Sequence, residues 1–116
     1  MQYVLLALAL LMAVPHVAWA SSNVLSWTDN STNETLFNIE RKAEACTGPA
    51  AFSEIATVTS NVTTFNDVLV IEGVTYCYRV AASNSAGKSA FSNTAGRTVP
   101  FTVPAPPSGL GVIGGP

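Results

Sequence analysis

Histidine is almost missing from this 116-residue chain. The one imidazole, His16, falls in an apolar N-terminal stretch, so the sequence has none from residue 21 onward. That excludes a Ser-His-Asp triad, a Cys-His pair and the ordinary zinc ligand sets from the remainder. Charge is scarce as well, at 10% of residues, against the roughly 25% usual for globular domains. The formal net charge of −2 supplies no basic field, which argues against nucleic acid as a partner. Cys46 and Cys77 are the only cysteines. They lack the Cys-x-x-Cys spacing that lowers a thiol pKa, so a redox-active pair is disfavoured.

The first twenty-eight residues carry no charged side chain. Val4 to Val14 is an unbroken run of Leu, Ala, Met and Val, ended by Pro15. Ala18-Trp19-Ala20 then places small residues at the two positions a signal peptidase reads. The run is shorter than the ~20 residues of a membrane helix. Residues 1–20 are therefore expected to be a signal peptide, leaving Ser21 as the new terminus. The n-region, Met1-Gln2-Tyr3, has no Lys or Arg.

The rest reads as strands and turns. Asn23 to Thr28 alternates with Leu25 and Trp27 on one face, and the polar cluster Asp29 to Glu34 ends it. Leu36 to Lys42 resumes the alternation, with Phe37 and Ile39 inward and Asn38, Glu40 and Lys42 outward. Ala43 to Ala51 is loop. Phe52 to Val58 and Val62 to Val68 are further β-rich runs. A long strand is expected from Thr75 to about Ala82, with Tyr76, Tyr78 and Val80 inward. After the turn Asn84-Ser85-Ala86-Gly87, a returning strand is expected from Ala90 to Val99. Turn signals recur about every ten residues, with no helical period outside the leader, so the class is all-β. Residues 100–116 form a Pro/Gly-rich linker ending in a short apolar alternation.

Several of these segments occur in the order and spacing of a known family. Leu25-Ser26-Trp27-Thr28-Asp29-Asn30-Ser31 resembles the strand B region of a fibronectin type III domain, and Phe37 to Lys42 its strand C. Val70 with Gly73-Val74-Thr75-Tyr76 resembles the corner before strand F. Ala82 to Gly87 and Ser89 to Asn93 resemble the F–G turn and strand G. The likeness covers roughly residues 23–99 and is to the modules strung along secreted bacterial enzymes and surface proteins. It implies an immunoglobulin-like β-sandwich over residues 21–99, with Trp27, Tyr76 and Tyr78 as core anchors. Tyr76 would be the corner tyrosine whose hydroxyl bonds back to the preceding loop. Truncating Trp27 or Tyr76 should cost about 3–5 kcal/mol. The resemblance also sets strand C beside strand F, which brings Cys46 and Cys77, on the outward face, close enough for a disulfide in an oxidising compartment.

Strand A of that family is missing or atypical, since almost nothing separates Ala20 from Asn23. Pro106-Pro107-Ser108-Gly109-Leu110-Gly111-Val112 resembles the strand that would open a next repeat. Three accounts remain. The chain is a fragment of a multi-repeat protein, or the last leader residues serve as strand A. Alternatively, the tail pairs with the open edge of a neighbouring molecule, head to tail.

Other motifs carry less. Ala82 to Ser89 fits a loose Walker A pattern but joins two strands with no helix to meet phosphate, so it reads as a hairpin. Asp29, Ser31, Asn33 and Glu40 have EF-hand spacing, but strands flank them and Glu34 stands where Gly is needed. Asn30, Asn33 and Asn61 head glycosylation sequons that matter only in a eukaryotic secretory pathway. Glu40, Glu44, Glu54, Asp67 and Glu72 suggest no paired acid and base. The expected function is a non-catalytic, cofactor-free extracellular module, a spacer or protein-interaction unit of a longer secreted or surface protein. Its candidate binding residues lie in two loops expected at one pole, Asp29, Asn30, Asn33 and Glu34 in the first and Asn84 and Lys88 in the second, Asn84 to Ser89. The expected partner is an extracellular protein or polysaccharide, with no membrane contact after leader cleavage. The alternative is a carbohydrate-binding accessory domain of a hydrolase, for which Phe52, Phe91 and Phe101 remain as stacking rings.

Overall fold

The computed structural model describes residues 21–116; the expected signal peptide, its cleavage site and His16 lie outside the described residues. The described residues form seven strands: β1 Asn23–Ser26, β2 Leu36–Lys42, β3 Ser53–Thr59, β4 Thr64–Asp67, β5 Thr75–Asn84, β6 Gly87–Lys88 and β7 Ala95–Thr98. There is no helix among the described residues. Residues 21–101 form one compact unit. Residues 102–116 belong to a separate one, carry no strand, and are exposed throughout.

The strands make two antiparallel sheets. One is β1 paired with β4; the other runs β3-β2-β5, with β6 and β7 both pairing the far side of β5. Alternation decides which side chains meet between them. Phe37, Ile39, Tyr76, Tyr78 and Val80 point inward from β2 and β5 and are buried with Val99. Leu25, Trp27 and Phe65 from the smaller sheet pack on them. Trp27 meets Phe37 edge to face at 5.6 Å between ring centroids.

Three sequence expectations change. The run Val62 to Val68 shortens to β4, because Val62 belongs to the turn at Asn61 (φ 69°) and Val68 leaves the ladder exposed. The returning strand expected over Ala90 to Val99 is broken into β6 and β7. Between them the chain still tracks β5 through serines. Ser89 N–H donates to Ala82 O (2.7 Å) and its Oγ accepts from Ala82 N–H (2.9 Å). Ser92 repeats this with Val80, at 2.8 and 3.0 Å. Each hydroxyl thus replaces a backbone carbonyl that a regular strand would present. Finally, Cys77 lies on the outer face but is wholly buried (0% exposed). The Ala43 to Ala51 loop folds over that face, held by the Cys46–Cys77 disulfide.

Candidate functional site

The two loops singled out from the sequence meet at one pole. Asn84 Nδ2 donates to Asn33 O at 3.1 Å, and Thr35 N–H donates to Ser83 O at 2.9 Å. Within the first loop Asp29 Oδ1 accepts from Ser31 N–H (3.0 Å), while Ser31 Oγ donates to Glu34 Oε2 (2.7 Å). Asn84 Oδ1 accepts from Ala86 N–H at 2.8 Å and closes the hairpin. These are Asx turns, in which a short side chain mimics the backbone. Hydrogen bonding from the Ser31 N–H, and secondarily with Glu34, holds the Asp29 carboxyl below its usual range. Asn30 lies at the same pole, exposed, beside Trp27 and Thr28 on the groove wall. The EF-hand spacing is not realised: Glu40 sits on β2 and pairs with Arg79 at 2.8 Å.

Lys88 does not belong to this loop surface. Its Nζ lies 3.8 Å from Glu40 Oε2 and 5.6 Å from the Phe91 ring centre. It joins a set of side chains across the outer face of the larger sheet, which sequence reasoning missed. The Arg79 guanidinium stacks between Phe52 (4.2 Å) and Phe91 (3.7 Å) while bonding Glu40. Beside it, the buried Lys42 ammonium donates to Cys46 O (3.1 Å) and Gly48 O (2.6 Å) and lies 5.0 Å from Phe52. The signal available was Glu40 opposite Arg79 in adjoining strands. The flanking rings were hidden by a bulge in β3, where Ile55 has no partner in β2, and by the break in the last strand.

Core residues form the third feature. Tyr76 OH accepts from Ile71 N–H at 3.0 Å, the backward bond expected of a corner tyrosine. Tyr78 OH donates to Asp67 Oδ2 (2.7 Å) and accepts from Asn23 Nδ2 (2.9 Å). Arg41 clamps Asp67 from the other side at 2.9 Å. Burial, then the neighbouring Asp67 against the opposing pull of Asn23, pushes the Tyr78 phenol up to about 12.

Trp27 is a different matter. It is half-buried rather than enclosed, and its Nε1 is buried without an acceptor among the described residues. It edges an open groove of about 760 Å³ between β1 and the β5–β7 edge, lined by Val24, Leu25, Tyr78, Val80, Ala95 and Arg97 among others. The groove exists because a two-stranded layer is too narrow to cover the larger sheet. Among the described residues no strand pairs with the other side of β1.

Of the aromatics considered for stacking on sugar, Phe52 and Phe91 have faces occupied by Arg79; Phe101 is exposed and lies against Gly73. No group of three or more His, Cys, Asp or Glu that would hold a metal occurs among the described residues.

No family model matches the chain, and no curated protein does. Solved structures do. The twitchin kinase region from C. elegans, whose domain string runs Fn31-NL-kin-CRD-Ig26, matches 72% of this chain at 26% identity and a TM-score of 0.56. Pectate lyase Pel3 from Pectobacterium carotovorum matches 78% at 24% identity and a TM-score of 0.58. A myokine matches 71% at 22% identity and a TM-score of 0.53, over 85% of its own length. The matches span only 15% of the twitchin chain and 26% of the pectate lyase. Together with two antiparallel layers closed on a buried core, these likenesses identify the fold as an immunoglobulin-like β-sandwich of the fibronectin type III kind.

Proposed function

We propose that this chain is a non-catalytic extracellular module, a spacer or protein-interaction unit of a longer secreted or surface protein, of the type found in bacteria. The observation that carries this reading is where the reactive side chains are spent. Arg41 with Asp67, Arg79 with Glu40 and Lys42 with Glu44 fasten strands and loops to one another, and both cysteines are consumed in a cross-link. A disulfide in this position fits an oxidising compartment. In the twitchin and pectate lyase chains the matching fold is a small part of a larger whole, which supports a unit in a string. Recognition is assigned to the Asp29–Glu34 and Asn84 pole, where a rigid frame presents hydrogen-bonding loops.

The accessory carbohydrate-binding reading is disfavoured by the rings themselves, since two of the three are already covered by a guanidinium. Intact mass of the chain recovered from the medium without reductant should show loss of residues 1–20 and of two hydrogens. Affinity electrophoresis in polysaccharide gels should show no retardation. A full-length reduced chain, or retardation in pectin or cellulose gels, would reverse the assignment.

A further inference from the structure

We propose that the edge of β1 left without a neighbouring strand among the described residues is completed by the tail of a second copy of this chain, residues 108–114, giving a head-to-tail array. The edge is prepared for a strand. Trp27 N–H donates to Thr63 O at 3.0 Å, and the register continues through Leu25↔Phe65 and Asn23↔Asp67. Antiparallel alternation therefore turns the backbone groups of Val24, Ser26 and Thr28 the other way, toward the groove. Val24 is 73% exposed.

The tail has the matching pattern. Gly109-Leu110-Gly111-Val112-Ile113 carries no charge, and Leu110, Val112 and Ile113 are 96%, 92% and 95% exposed. Leu110 and Val112 fall on one face of an extended chain and the two glycines on the other. With Leu110 opposite Trp27 and Val112 opposite Leu25, both enter the groove against the core. The same register sets Ile113 beside exposed Val24, an apolar cross-strand pair. Its hydrogen-bonding residues are then Gly109, Gly111 and Ile113, none of them proline. Gly109 now has φ +70°, and glycine alone among residues moves from there to an extended conformation at little cost.

Polarity selects a second copy over the chain's own tail. Arg97 donates to Ser22 O (2.9 Å) and Asn23 Oδ1 (2.7 Å), so the chain leaves β7 at the end where β1 begins. A tail entering from there runs parallel to β1. An antiparallel strand enters from the Trp27 end, and Pro104, Pro106 and Pro107 stiffen the tail against doubling back. A donor from the next molecule enters that way directly, and because donor and acceptor surfaces differ, the contact repeats without closing.

The test uses the full chain produced with export, its N-terminus read by intact mass. Sedimentation velocity across a concentration series should show weight-average mass rising with concentration and falling again on dilution. Leu110→Asp with Val112→Asp lies outside the folded unit and should abolish the rise while matching the wild-type thermal midpoint at dilutions where both are monomeric. Val24→Cys and Ile113→Cys chains, mixed under mild oxidation, should form a linked pair that neither forms alone. A wild-type chain monomeric at every concentration overturns the proposal. So does assembly that survives L110D/V112D, or a cross-link formed within single chains carrying both cysteine substitutions.

Discussion

Tyr78 places its buried hydroxyl between Asn23 and Asp67. Removing it leaves both partners short of a bond, so Tyr78→Phe should destabilise by about 1–3 kcal/mol. Its pH dependence has a definite sign. The folded phenol ionises near about 12, against the ordinary 10.0 of an unfolded chain. The contribution is therefore complete below pH ~10 and is lost as pH rises through that interval. Urea midpoints should hold steady between neutrality and about pH 9 and then fall. Y78F should start lower and fall less steeply; equal alkaline slopes in the two proteins would remove Tyr78 as the cause. At the same scale, Arg79 shows how a charged residue on an outer face becomes part of the packing when two rings close over it.

At the scale of elements, the serine-held segment between β6 and β7 is the least regular support in the larger sheet. Ser92→Ala removes the acceptor for Val80 N–H and should cost about 1 kcal/mol. Hydrogen exchange at Val80 should quicken while Tyr78, held within the β5–β7 ladder, stays slow. Alternation made much of this architecture legible: Leu36 to Lys42 is a strand end to end, and the long Thr75 strand runs only two residues beyond its expected end, to Asn84. The polar turns at Asp29 and Asn84 were legible too, because Asx chemistry is local. What sequence could not supply was non-local. Lys42 and Cys77 alternate outward, yet the loop of residues 43–51 folds back over Lys42 and is bridged to Cys77, far away in sequence, so that both are buried. Trp27 alternates inward, yet the layer carrying it is two strands wide among the described residues. Lys88 sits in a turn motif, but Glu40 and Phe91 draw it onto the sheet.

For the whole molecule, the Cys46–Cys77 bond spans 31 residues and fastens a surface loop to the central strand. Closing a loop of that length is worth about 3–4 kcal/mol by chain entropy. Reduction, or Cys46→Ala with Cys77→Ala, should lower the melting temperature by more than about 10 °C; an unchanged midpoint on full reduction would deny the bond that role. Limited proteolysis should cut within residues 102–116, where every side chain is exposed, and leave the body melting as before. A protected tail at low concentration would contradict this.

The half-open seat of Trp27 has an optical consequence. The chain has two tryptophans, and the other, Trp19, belongs to the expected leader. Once that segment is removed, Trp27 is the sole indole, and it stands at the mouth of the groove. Its emission then serves as a label-free gauge of whatever fills that space, shifting to the blue when an apolar strand displaces solvent from its edge.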